Sequence, residues 1–77
     1  MDISVTFNLS LKRYAGTEDG KIKVKMPEGA TVKQLLNNFK VIPGEVGLII
    51  INSEIAKQET VLKDKDELEL YPVVGGG

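Results

Sequence analysis

The residues with chemical potential are few and lie at one end of the chain. The sequence closes on Gly75, Gly76 and Gly77, a feature that a purely structural domain does not require. Glycine has no Cβ, gains nothing by packing and loses more backbone freedom on ordering than any other residue. Fully extended at about 3.3–3.6 Å per residue, the stretch from Pro72 to Gly77 reaches about 20 Å. Its last three residues carry no side chain, so they can enter a slot that admits only backbone. The group delivered there is the α-carboxyl of Gly77. With a pKa of about 3.3–3.7 it is an anion, and a poor electrophile, at neutral pH. It becomes reactive once another enzyme converts it to a mixed anhydride such as an acyl-adenylate. The chain would then be a substrate of its partners. The plainer alternative is a frayed end or an expression remnant, although no tag or protease-site sequence flanks the glycines.

Composition points the same way. The 77 residues include no Cys and no His. That excludes a disulfide framework, a thiolate nucleophile, a Cys-based zinc site and the commonest general base. Ten Lys+Arg against eleven Asp+Glu leave a net charge of −1, without the footprint of a nucleic-acid or anionic-membrane binder. Hydrophobic residues at 42% and charged residues at 27% are proportions of one small globular domain. No apolar run approaches the roughly 20 residues of a membrane span, and the N-terminus lacks the layout of a signal peptide. The expectation is a cytoplasmic protein that is not itself an enzyme and holds no metal or cofactor.

The elements that must present the tail are written in the hydrophobic pattern. Ile3, Val5, Phe7, Leu9 and Leu11 alternate with polar residues, which predicts a strand with one buried face. Ile22, Val24 and Met26 alternate again after a polar loop with two glycines, completing a hairpin. Thr31 opens a helix, with Gln34 completing a capping box, and Val32, Leu35, Leu36 and Phe39 form its apolar stripe. Pro43-Gly44 ends any continuation. Leu48–Ile51 suits a central strand, Asn52-Ser53 a turn and Ile55 a short extended piece. Glu67–Tyr71 is a last strand, at whose end Pro72 stops regular pairing. One amphipathic helix among strands must cover one sheet face. The layout fits an α+β, β-grasp (ubiquitin-like) domain over residues 1–72, with a mixed sheet of four to five strands and one helix on one face. Residues 73–77 would form a flexible tail.

At this point the residues show a family likeness. Leu11-Lys12-Arg13-Tyr14-Ala15-Gly16, Pro27-Glu28-Gly29-Ala30-Thr31-Val32 with Leu35-Leu36, and Ile51-Asn52-Ser53-Glu54 resemble segments of the MoaD/ThiS family of ubiquitin-like sulfur carriers. So do Leu62-Lys63-Asp64-Lys65-Asp66-Glu67-Leu68 and the closing Tyr71-Pro72-Val73-Val74-Gly75-Gly76-Gly77. The resemblance spans essentially the whole chain and is greatest to the small subunit of molybdopterin synthase. Lys65 stands where the family usually has Gly, Val73 where it has a second Pro, and Gly75 where it has Ala or Ser.

The resemblance implies that Gly77 is adenylated and then becomes a thiocarboxylate, with Gly76 as the other half of the diglycine. The implied partners are a ubiquitin-activating-like adenylyltransferase, which uses ATP, and the larger catalytic subunit of molybdopterin synthase. Sulfur carriage for thiamine or tRNA thiolation, conjugation to lysines as a protein modifier, and a plain interaction domain remain open.

A candidate partner surface follows from the strand pattern. Leu48–Ile51 is apolar on both faces. If Ile49 and Ile51 join the core, as Leu68 and Leu70 do, then Leu48, Ile50 and Tyr71 face outward. With Pro72, Val73, Val74 and Gly75 they would form an apolar patch beside the tail. Cover by the loop at 40–46, or simple scattering of exposed residues, is the alternative. Asp64, Asp66, Glu67 and Glu69 lack calcium-loop spacing and read as a solvated turn. Lys57, Lys63 and Lys65 read as ordinary surface.

Overall fold

The computed structural model describes residues 1–73. Val74, Gly75, Gly76 and Gly77 lie outside the described residues, and so does the expected terminal chemistry. The described chain forms strands β1 (Asp2–Phe7) and β2 (Lys21–Lys25), helix α1 (Val32–Asn38), and strands β3 (Val46–Ile51), β4 (Glu54–Ala56) and β5 (Glu67–Pro72). Two 3-10 segments, Leu9–Tyr14 and Pro43–Glu45, link them. The five strands lie in the order β2-β1-β5-β3-β4. β1 and β5 are parallel and the other pairs antiparallel, so the sheet is mixed, as the β-grasp pattern predicts.

One face of this sheet carries the core. Ile3, Val5, Phe7, Ile49, Leu68 and Leu70 pack with Val32, Leu35 and Leu36 of the helix, all buried. The helix begins where its sequence says it should. Thr31 Oγ1 accepts from the Gln34 amide, and Gln34 Oε1 accepts from the Thr31 amide. Two further N-terminal amides, of Val32 and Lys33, donate to the carbonyls of Thr60 and Gln58. The segment after β4 therefore supplies what the first helical turn lacks internally. Buried Leu62 pins that segment, while its neighbour Val61 stays exposed.

Two expectations about the strands are corrected. The first strand stops at Phe7, although the alternation runs on to Leu11. Both the amide and the side-chain Nδ2 of Asn8 donate to the Leu70 carbonyl. The chain then turns through Leu9 at φ 53° into the 3-10 segment. Leu11 still reaches the core, but Leu9 is 66% exposed. β3 lies inside the sheet, as expected of a central strand, and β5 is the middle strand. Second, pairing does not stop at Pro72, which lies opposite Val46 within β5, and the Val73 amide goes on to donate to the Glu45 carbonyl.

Turn chemistry fixes the register. Asn52 and Ser53 both have positive φ, 51° and 70°, which suits a two-residue hairpin turn matched to the strand twist. Gly20 (φ 73°) is needed twice over, because a Cβ there would sit 2.2 Å from the Phe7 carbonyl oxygen. Lys65, where a glycine would be at ease, takes φ 71° nonetheless. Its amide donates to the Asp2 carbonyl, and its ammonium lies 3.6 Å from the Asp2 carboxylate. Asp66 is buried rather than solvated: its carboxylate accepts from Asn52 Nδ2 and from the Lys63 amide, tying the last turn to the hairpin.

Candidate functional site

The tail leaves from the end of β5, so the surroundings of that strand end define the site. β5 runs parallel to β1 and antiparallel to β3. The C-terminal end of β1, the following 3-10 segment and the start of β3 therefore meet at the root of the tail.

The sheet face away from the helix is laid out in columns. Lys21, Lys23 and Lys25 on β2 are paired in register with Thr6, Ser4 and Asp2 on β1. Ser4 and Thr6 are next to Glu67 and Glu69 on β5. Glu69 is opposite Ile50 and Tyr71 opposite Leu48, while Ile50 is opposite Ile55 of β4. Charge thus gives way to an apolar quarter formed by Leu48, Ile50, Ile55 and Tyr71. Ile49 and Ile51, between them in sequence, are opposite Leu70 and Leu68 and pack toward the core.

This places the expected outward residues. Leu48 is 37% exposed, Ile50 and Tyr71 are half-buried, and Val73 is 51% exposed. Pro72 falls opposite Val46, which packs on the core. The Tyr71 hydroxyl donates to Glu69 Oε1 at 3.0 Å, and that contact with the carboxylate raises the tyrosine pKa. Ile55 belongs to the same quarter and, at 79% exposed, is its most open member. The two-residue turn at Asn52-Ser53 was the available signal, since it sets Ile50 across from Ile55.

A polar cluster adjoins the tail root. Glu45 accepts from the Tyr14 hydroxyl at 2.6 Å and from the Arg13 guanidinium. Arg13 also donates to the Ser10 carbonyl at 2.8 Å, and its guanidinium carbon lies 4.6 Å from the Tyr14 ring centre. The Tyr14 hydrogen bond, ahead of Arg13, holds the Glu45 carboxyl below the usual glutamate range. Tyr14 is itself set by Phe7, ring centre to ring centre 6.5 Å. Spacing alone gave no hint of this cluster, because Arg13 and Glu45 are 32 residues apart.

No group of three or more acidic, His or Cys residues able to hold a metal occurs among the described residues. Among them, too, no helix is long and apolar enough to cross a membrane.

A family model described as the ThiS family matches residues 5–77. The chain belongs to the ThiS family. The members of this family are ubiquitin-like sulfur carriers, small subunits of larger complexes. Comparison with curated proteins finds no match. Among solved structures, this ThiS-family chain is similar to the molybdopterin converting factor subunit 1 of Pyrococcus furiosus. The identity there is 22% and the TM-score 0.78, covering 96% of this chain and 99% of that one. It is also similar to small archaeal modifier protein 1 of Haloferax volcanii (19% identity, TM-score 0.73, 95% and 98% covered). A third similar structure is a complex of subunits 1 and 2 of the molybdopterin-converting factor of Helicobacter pylori (23% identity, TM-score 0.63, 100% of each chain covered). At these identities the likeness is one of fold.

Proposed function

We propose that this chain is the sulfur-carrying small subunit of molybdopterin synthase. The Gly77 carboxylate attacks the α-phosphate of ATP in an activating adenylyltransferase, and pyrophosphate leaves. A donor of sulfide-level sulfur then displaces AMP, giving a C-terminal thiocarboxylate. Within the larger synthase subunit this soft nucleophile attacks a pterin precursor, and water cleaves the resulting thioester, leaving the sulfur on the pterin and the carrier as a carboxylate. Every catalytic group, ATP and any metal belong to the partners.

The observation that carries the reading is the family match through the final diglycine, on a domain whose middle strand leads into the tail. The choice of molybdopterin over another sulfur acceptor is supported by the Pro72-Val73-Val74 tail base and the Arg13-Tyr14-Ala15-Gly16 segment. The apolar quarter beside the tail is the surface on which the larger subunit would dock, leaving Gly75, Gly76 and Gly77 to enter its channel.

Intact mass tests this directly. After incubation with activating enzyme, ATP and a sulfur donor, one C-terminal oxygen should be replaced by sulfur, and removal of Gly76 and Gly77 should abolish the exchange. The product should then convert a pterin precursor when the larger subunit is added. Isopeptide conjugates on other proteins, without sulfur exchange, would select the modifier reading instead. Unchanged cellular function after loss of both glycines would leave only an interaction domain.

A further inference from the structure

Pro72 has no N–H, but it is the odd-numbered residues of this strand, such as Glu67 and Val73, whose backbone groups face β3, so the ladder between β5 and β3 loses no donor there. The next donor is the Val73 amide, which reaches the main-chain carbonyl of Glu45 at 3.0 Å. Glu45 is doubly committed. Its backbone holds the tail root, while its carboxylate is held by Tyr14 and Arg13 from the 3-10 segment after β1. Two residues later comes Gly47, at the register shift between Val46 and Leu48. A Cβ on Gly47 would lie 2.9 Å from both the Pro72 carbonyl oxygen and Val73 Cα, and 3.1 Å from the Val73 nitrogen. Gly47 is not at positive φ, so its backbone would accept another residue, and the constraint is the approach of the tail root. An exposed ion pair such as Arg13–Glu45 adds little to global stability. Its position between the body of the domain and the last tail contact gives it another use.

We propose that Gly47 and the Glu45 carbonyl, with Glu45 held by Arg13 and Tyr14, form a seat that sets the direction in which the C-terminal residues leave the sheet. On the sulfur-carrier reading, on which the role of this seat rests, Glu45 and Gly47 are positioning residues. They aim the terminal carboxyl at an active site while the apolar quarter does the docking. Docking and aiming are then separable, the first governing KM for the carrier and the second kcat.

The test uses the full chain as wild type, Gly47→Ala, Glu45→Ala and Glu45→Gln. Three quantities are read: melting temperature, hydrogen exchange of the Val73 amide, and steady-state adenylation by the activating enzyme. Gly47→Ala and Glu45→Ala should melt within about 4 °C of wild type. Their Val73 amide should exchange at least about tenfold faster. Their kcat should fall by about ten- to a hundredfold, the cost of misplacing a reacting group by roughly an ångström, with KM little changed. Glu45→Gln, which still accepts from Tyr14, should recover most of the loss. Unchanged Val73 exchange in both variants would overturn the seat. A freed Val73 amide with unaltered kcat would overturn its aiming role. If the wild-type chain is never adenylated, the sulfur-carrier reading and the aiming role both fall, while Val73 exchange still decides whether the seat exists.

Discussion

The same chemical change at two neighbouring isoleucines should have opposite consequences. Ile→Thr keeps β-branching, and hence strand propensity, while replacing a methyl-bearing arm by a hydroxyl. Ile55 on β4 is 79% exposed, so Ile55→Thr should alter folding by no more than about 0.5 kcal/mol. Complete burial of an isoleucine is worth about 1.5–3 kcal/mol. If the larger subunit covers the exposed fraction of Ile55, the variant should lose about 1–2 kcal/mol of binding, or about 5- to 30-fold in Kd. Ile49, one strand away and 7% exposed, packs toward the helix. There the substitution removes buried apolar atoms and leaves a hydroxyl without a partner, costing about 2–5 kcal/mol. At about 4–8 °C per kcal/mol the melting temperature should drop by at least about 8 °C. Calorimetric titration against the larger subunit and thermal melts of both variants give the comparison. Ile55→Thr binding within about twofold of wild type, at unchanged stability, would refute docking through the apolar quarter. An unaltered melt for Ile49→Thr would refute the assigned facing of β3.

Two further outcomes are expected. Lys65→Gly relieves a left-handed backbone that costs an L-residue about 1–2 kcal/mol, offset in part by the greater freedom of glycine in the unfolded chain. The variant should melt a few degrees higher, and a lower melting temperature would show that the Lys65 side chain matters more than its φ. The Glu45 carboxyl is depressed by Tyr14 and then Arg13. Its contribution is therefore fully present above the ordinary glutamate pKa of about 4.3, and lost as pH falls through the lower folded value. The Val73 amide resonance should hold steady from neutral pH down to about 5 and shift only below the ordinary glutamate range, with Glu45→Gln showing no such step.

Much of the fold was legible because it rests on short-range rules. Alternation marks β1, β2 and β5, and Thr31 with Gln34 marks the helix entry through contacts three residues apart. The errors arise where long-range contacts override local pattern. Leu9 and Leu11 continue the alternation of β1, yet Asn8 binds the Leu70 carbonyl 62 residues away, and the strand ends. Asp66 looked like one acid in a solvated turn, but the hairpin amide of Asn52 reaches it from another part of the chain. The open-face positions of Leu48, Ile50 and Tyr71 follow from parity along the strands. Parity could not reveal Ile55 until the Asn52-Ser53 turn fixed its partner. The Glu45 contacts with Arg13 and Tyr14 need the fold itself, since no spacing rule joins segments so distant.

The order of the strands has a mechanical consequence. β5 leads directly into the tail and is bonded on one side to β1 and on the other to β3, away from either sheet edge. Tension applied through the C-terminus is shared by two ladders loaded in shear, not peeled one bond at a time from a free border. On the function proposed above, a chain whose end is drawn into one enzyme after another would thereby be protected against unravelling from the very strand that does the handing over.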